Sequence, residues 1–367
     1  MEDKLRKFGK NIDLIINKNN LSREESKEMF RQILMNEQPD LQQGAFLAAI
    51  TAKGATPQEI AGGWEVIFDL DTVKISPKIS APIVENCGTG MDSFKTFNIS
   101  TAASIIAAAD GVPMAKHGAR AITSKCGTVD LLESIGIDVE CDASIVKKSI
   151  ENANIGIFNG MSSKIHPCAL GRILSQLRFG TILNIAASLA NPASPTIGAR
   201  GVYDESMILP TLETMKEIGF KKAMVFHGKS SDGRYGMDEI STSGLTFIAE
   251  MKPDGSITEY TFDPKTLNIK CDDERDILAT ERSNESVRFL RLMEGKESSN
   301  REDIVCLNAA AILYISDHVA DIESGYERAK SIVSSGRAMS KVKEWVSVQN
   351  SEPDLGLAKL DALMCFC

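Results

Sequence analysis

The stretch NCGTGMDSFKTFNISTAAS, residues 86–104, decides how this chain is read. Gly88 and Gly90 flank a threonine directly after a short apolar run. Asn98, Ser100 and Thr101 stand where a run of small apolar residues opens. Glycine has no Cβ, so successive backbone N–H groups can converge there and an anion can approach closely. The start of a helix adds unpaired N–H groups and the positive end of the helix dipole. Together these features describe a cradle for phosphate or pyrophosphate. A glycine turn followed by an ordinary helix cap uses the same residues without any anion.

Outward from this stretch, strands and helices alternate. "SAPIVENCG" (80–88) reads as a strand running into the glycines, and "TAASIIAAAD" (101–110) as a packed helix stopped by Gly111. "GVPMA" (111–115) reads as a strand, "VDLLESIG" (129–136) as a helix stopped by Gly136, and "IFNG" (157–160) as a strand. "KKAMVFHG" (221–228) has the texture of a buried strand, and "LTFIAEMKPDGSITEYTF" (245–262) that of a hairpin around Pro253-Asp254-Gly255. Such alternation with short links predicts an α/β domain. Residues 1–75 differ, being helical throughout. Ser22 and Glu25 form a capping box before Met29, Phe30, Ile33 and Leu34. Thr56-Pro57-Gln58-Glu59 repeats the device, with Pro57 where a missing N–H costs nothing. From about residue 275 the pattern is helical again. The expected organisation is a helical domain over 1–75 and an α/β domain over 76–367.

Composition narrows the function classes. Lys plus Arg is 41 and Asp plus Glu is 50, a net charge of -9. An acidic chain is a poor default binder of nucleic acid or anionic membrane. Eight scattered cysteines without C-x-x-C spacing read as reduced thiols, and Cys365-Phe366-Cys367 reads as a tail. The first residues, MEDKLRKFGKNIDLI, lack the apolar core of a signal peptide, and no apolar run reaches the ~20 residues of a membrane span. A cytoplasmic location is expected.

Two further clusters fit a ligand site. "AKHGARAITSKCGTVD" (115–130) places Lys116, His117 and Arg120 on one loop, followed by Thr123, Ser124 and Thr128 before a helix. Open α/β sheets build sites in this way, at the carboxyl ends of strands. "YGMDEIS" (235–241) sets Asp238 and Glu239 side by side. Oxygen-only ligands that leave room for water suit Mg²⁺ bridging to phosphates.

In combination these motifs resemble the anthranilate phosphoribosyltransferase family. Its G-T-G-G-D-x-x-x-T-F-N-I-S-T pattern stands here as Gly88-Thr89-Gly90-Met91-Asp92 and then Thr96 to Thr101. Its K-H-G-N-R is Lys116-His117-Gly118-Ala119-Arg120, and its D-E pair is Asp238-Glu239. "NPA" (191–193), "GVYD" (201–204) and "LNAAAILY" (307–314) extend the likeness in order along nearly the whole chain. The resemblance implies a helical domain supplemented by helices near 165–185. Beside it stands a larger α/β domain with a central, mostly parallel sheet of the type shared with nucleoside phosphorylases. It implies a homodimer formed through the helical domain, with the active site in the cleft. It implies Mg²⁺-dependent transfer of phosphoribose from phosphoribosyl pyrophosphate to the amine of anthranilate or a related aromatic acceptor, with release of pyrophosphate. By resemblance, Gly88, Gly90, Asp92, Thr96, Asn98, Ser100, Thr101, Lys116, His117, Gly118, Arg120, Thr123, Ser124 and Thr128 bind the donor. Ser100, Asp238 and Glu239 hold the metal. Gly88, Ala119, His166, Arg172 and Arg178 face the acceptor.

The departures from the family fall on one side. Met91 replaces a glycine, and Ala119 replaces an asparagine that faces the acceptor. The arginine pair after His166-Pro167 is missing, with Arg172 and Arg178 as the nearby substitutes. Ala187-Ser188-Leu189 stands for G-P-L. Two other readings keep the phosphate chemistry: a nucleoside phosphorylase, which needs no acid pair, and a non-enzymatic relative that binds a phosphorylated ligand or nucleic acid.

Overall fold

The computed structural model describes residues 2–90, 93–121, 126–177, 179–271 and 273–367. Met91, Asp92, Thr123, Ser124 and Arg178, all singled out above, lie outside the described residues. The N-terminal segment forms four helices: α1 (Glu2–Ile16), α2 (Arg23–Leu34), α3 (Asp40–Lys53) and α4 (Pro57–Leu70). Both capping boxes are made. Ser22 accepts from the Glu25 N–H and Thr56 from the Glu59 N–H, and each glutamate bonds back to the cap. Phe8, Phe30 and Phe46 pack together at the centre of this bundle.

The rest of the chain is built on one eight-stranded sheet. β1 (Val84–Gly88), β2 (Met114–Gly118), β3 (Ile155–Asn159), β4 (Ile197–Gly201) and β5 (Lys222–Lys229) are parallel, in the order β3-β2-β1-β4-β5. β6 (Gly236–Met237), β7 (Thr246–Met251) and β8 (Ile257–Phe262) are antiparallel, and β7-β8 is the expected hairpin. The helices that join the parallel strands are α5 (Ile99–Ala109), α6 (Thr128–Ser134), α7 (Ala143–Ala153), α8 (Leu170–Gln176), α9 (Leu183–Ala186) and α10 (Ile208–Glu217). Five more close the chain: α11 (Arg282–Met293), α12 (Ser299–Ile315), α13 (Ile322–Ser334), α14 (Arg337–Val348) and α15 (Pro353–Met364).

The sheet buries both faces, as parallel sheets do. Side chains alternate between faces along a strand. Val84, Met114, Ile157, Ala199 and Met224 pack on α5, α12 and α14. Ala223, Val225, Ala249 and Met251 on the opposite face join one continuous core with the N-terminal helices, α8, α9 and α10. The helices at 170–186 therefore share a core with the N-terminal bundle, and the cleft between bundle and sheet opens over the carboxyl ends of β1, β2 and β3. Among the described residues, no helix is long and apolar enough to cross a membrane.

Candidate active site

A cavity of about 310 Å³ lies at these strand ends. One wall is the turn after β1. Gly90 adopts φ +70°, a backbone region that favours glycine, and its N–H points to Asp238 Oδ2 at 2.7 Å. The second wall is the N-terminus of α5, where the Ser100 N–H meets Glu239 Oε1 at 3.1 Å. Lys116 is buried beneath both. Its ammonium donates to the Asn86 carbonyl at 2.8 Å, to Ser104 Oγ at 3.2 Å and to the Ser100 carbonyl at 3.4 Å, tying β1 to α5. Burial pushes its pKa down. The starts of α5 and α6 are linked in turn: Thr128 Oγ1 donates to Asn98 Oδ1 at 3.3 Å, and Asn98 Nδ2 donates to the Cys126 carbonyl at 3.3 Å. Thr96, Gly118 and Ala119 also line the cavity.

Asp238 and Glu239 are almost fully buried. Burial pushes Asp238 above the usual carboxylate range. Two carboxylates pressed into an N–H cradle repel any anion that enters, unless a cation lies between them. The pair is oxygen-only and adjacent. Among the described residues, no group of three His, Cys, Asp or Glu side chains gathers around it. The protein thus offers part of a coordination shell and leaves the remainder to ligand oxygens and water. This donor set fits Mg²⁺.

The other end of the cavity is apolar. Leu170, Leu174, Leu177, Phe179, Leu183 and Ala187 form it, with Asn184 and Ser188 as its polar members. His117 lines the floor. Its Nδ1 donates to the Ser188 carbonyl at 3.2 Å, and its Nε2 lies 3.1 Å from Nε2 of His166. His166 Nδ1 donates to the Asp71 carbonyl at 2.5 Å. Burial pushes both histidines down, His117 to about 3 with the facing His166 as the second cause.

Five sequence expectations change on contact with this geometry. Lys116 and His117, expected on a loop, are the third and fourth residues of β2. Thr101 is fully buried behind the wall, facing Thr128 Oγ1 at 3.3 Å, and does not line the cavity. His166 stands behind His117, so it supports the floor without facing the space above it. Arg172 turns away: its guanidinium donates to Gln43 Oε1 at 3.2 Å and to the Ile33 carbonyl at 2.8 Å, in the helical bundle. The reason is helical phase. Leu170, Leu174 and Leu177 share the cavity face of α8, and a residue two positions from Leu170 points to the opposite side. Arg120 lines the cavity, but its charge is engaged by Asp130, Glu133 and Glu140 at 3.0–3.2 Å. The hydrogen bonds from Arg120 hold Glu133 down at about 2.

The sequence reading missed a buried ionic layer under the floor. Glu85 on β1 and Arg200 on β4 are 2% and 1% exposed, and Asn191 Nδ2 donates to Glu85 Oε1 at 2.9 Å. The available signal was a charged residue inside each of two short strands, Glu85 in VENCG and Arg200 in IGARG.

Comparison with known proteins agrees with this architecture. Residues 80–339 match the glycosyl transferase family, a/b domain, and residues 11–70 match the glycosyl transferase family, helical bundle domain. The chain is 36% identical over 338 residues to an anthranilate phosphoribosyltransferase from Methanococcoides burtonii, covering 91% of this chain and 92% of that protein. It is 36% identical over 335 residues to one from Clostridium beijerinckii, covering 90% and 95% respectively. Among solved structures, the anthranilate phosphoribosyltransferase of Thermus thermophilus superposes with a TM-score of 0.82 at 26% identity, covering 92% of this chain and 98% of that one. The Saccharomyces cerevisiae enzyme in complex with PRPP and Mg shares the fold, with a TM-score of 0.81 at 19% identity, covering 96% and 99%. With its helical bundle, its mostly parallel sheet and its relatives matched over nine-tenths of their length, this chain belongs to the anthranilate phosphoribosyltransferase family.

Proposed function

We propose that the protein transfers phosphoribose from phosphoribosyl pyrophosphate to the amine of anthranilate, the step its relatives are named for, and so serves tryptophan biosynthesis. The observation that carries this reading is the placement of an N–H cradle, a buried lysine and two buried carboxylates at one end of a cavity whose other end is apolar. A polyanionic sugar suits the first end and an aromatic ring the second. In the reaction the C1–N bond forms as the C1–O bond to pyrophosphate breaks, and the amine gives up one proton. Charge builds on the departing pyrophosphate and on an oxocarbenium-like sugar.

The residues act by position and electrostatics. The turn at Gly88 and Gly90 and the start of α5 present N–H groups to the phosphates. Lys116 fixes the distance between those two walls and supplies a point charge. Thr96, Asn98, Gly118 and Thr128 complete the donor pocket. Asp92, Thr123 and Ser124 belong to the same segments and are assigned to it by family likeness. Asp238, Glu239 and the Ser100 hydroxyl would hold Mg²⁺, which, when bound, offsets the charge of the pyrophosphate. Ala119 and His117 border the acceptor. Exposed apolar side chains on the helical bundle, among them Ile16, Met35 and Leu41, support dimerisation through that bundle. A cytoplasmic location agrees with the scattered cysteines and the acidic composition.

The test is pyrophosphate release from phosphoribosyl pyrophosphate and Mg²⁺, with anthranilate present or omitted. Release that depends on anthranilate is the expected result. Phosphorolysis of uridine or thymidine in its place would move the assignment to a nucleoside phosphorylase. Light scattering in solution reads the oligomeric state.

A further inference from the structure

Arg200 is a buried cation behind the acceptor end of the cavity, and nothing described above engages it fully. Its position follows from the sheet register. Cys87 pairs with Arg200 across β1 and β4, and His117 lies beside Cys87 on β2. All three side chains emerge on the sheet face turned toward the helical bundle. Cys87 and His117 line the cavity, and Arg200 is the next in the row, just beneath the surface. Its Nη2 donates to Ser188 Oγ, and Ser188 is a cavity-wall residue.

The counter-charge is only half engaged. Glu85 Oε2 stands 3.7 Å from Arg200 Nη1, beyond hydrogen-bond reach. Glu85 Oε2, Arg200 Nε and Arg200 Nη1 are buried without hydrogen-bond partners among the described residues. A buried ion pair is stable only when its geometry is good and its remaining donors are met. The guanidinium is therefore under-satisfied, a buried cation that an added anionic group would stabilise. Ser188 is the cavity-wall residue that stands on the guanidinium, and its hydroxyl also donates to the Asn184 carbonyl at 2.6 Å and the Ile185 carbonyl at 3.0 Å. The other cations near the cavity are held elsewhere: Arg172 points into the helical bundle, Arg120 is engaged by three acids, and Lys95 and Lys116 bond to the Gly90 and Asn86 carbonyls at the donor end.

We propose that Arg200 is the specificity-determining cation of the acceptor site, reading the carboxylate that anthranilate carries beside its amine, with Ser188 on the wall beside it. The inference rests on the proposed transferase reading. Charge-assisted contacts of this kind are worth about 1.5–3 kcal/mol, which is roughly tenfold or more in binding.

The test compares anthranilate with 2-aminobenzamide, its uncharged isostere, as acceptors. The unsubstituted protein is expected to favour anthranilate by about tenfold or more in kcat/KM. In Arg200→Met combined with Glu85→Gln, which removes both buried charges together, that preference is expected to fall to near unity, while the KM for phosphoribosyl pyrophosphate stays within about twofold. Arg200→Lys keeps the charge and loses the planar fork, so an intermediate preference is expected, and it serves alone if the double variant does not fold. An undiminished preference in either folded variant, or none in the unsubstituted protein, overturns the proposal. No product from anthranilate in the unsubstituted protein would instead remove the transferase reading, and the role of Arg200 with it.

Discussion

The carboxylate of Asp238 occupies the space in which a side chain on Gly88 would stand: a Cβ there would fall 2.3 Å from Oδ2. Strand end and acid are thus fitted to one another, although they lie far apart in the chain. The same carboxylate anchors the Gly90 N–H. Gly88→Ala is expected to push Asp238 out of position and lower kcat/KM about as much as Asp238→Asn, by roughly 100-fold or more, with the fold retained. Steady-state rates at saturating Mg²⁺, with circular dichroism as the control, check it. Asp238→Asn at full activity would contradict the assignment of the acid pair.

Lys116→Met keeps the stem and removes the ammonium. Three oxygens, on Asn86, Ser100 and Ser104, then lose their buried donor. Affinity for phosphoribosyl pyrophosphate is expected to fall about tenfold or more, since hydrogen bonds to charged groups are worth about 1.5–3 kcal/mol. Thermal stability should fall as well. Calorimetric titration of the donor with Mg²⁺ reads the first effect and a melting curve the second.

Arg172→Gln tests the corrected placement. Its guanidinium braces α8 against Gln43 and Ile33, away from the cavity. The variant is expected to melt a few degrees lower, because about 1 kcal/mol moves Tm by roughly 2–4 °C in a chain of this order of size. The KM for the acceptor should change less than about twofold. A large rise in that KM with unchanged melting would return Arg172 to the acceptor site.

The His117–His166 pair sets a pH dependence. Both Nδ1 atoms face carbonyl oxygens, which only accept, so each carries a hydrogen. The Nε2–Nε2 contact of 3.1 Å then has room for one shared proton and not two. His117 is held down to about 3, and His166 is lowered as well, both by burial. Unfolded, each ring takes up a proton as pH falls below about 6.5. The folded pair binds at least one proton fewer, so its contribution to stability is present above about pH 6.5 and is lost as pH falls toward about 3. The slope is about 1.4 kcal/mol per pH unit for each proton of difference. Urea melts between about pH 7.5 and 5 should show this decline, and His117→Asn with His166→Gln should flatten it. His227, also buried and lowered, contributes in the same direction and remains in that variant as a background.

Much of the fold was legible in local chemistry. Ser22 with Glu25 and Thr56 with Glu59 are complete capping signals, and Pro253-Asp254-Gly255 marks its own turn. β4 was not legible, although it is central. Its Gly198 and Gly201 weaken the strand signal, and both are required by packing from far along the chain. A Cβ on Gly198 would meet Met215 Cε at 2.5 Å, and one on Gly201 would meet the Asp238 carbonyl at 1.7 Å. In the site, most of the phosphate end was readable because it comes from two short stretches of chain, Gly88 to Ser100 and Lys116 to Thr128. The Ser188–Arg200 contact was not, because it depends on which strands are neighbours and in what register. The turning of Arg172 was readable in principle from the spacing of Leu170, Leu174 and Leu177.

Lys116 and His117 are consecutive in one strand and emerge on opposite faces of the sheet, the first toward the phosphate loops and the second toward the apolar pocket. A mutation at one therefore leaves the chemistry of the other largely alone. Adjacent codons thus place side chains on separate faces of one sheet, so one lining can change without the other. Ala119, Ala187 and Ser188, three of the replacements in this chain, line the cavity together with His117.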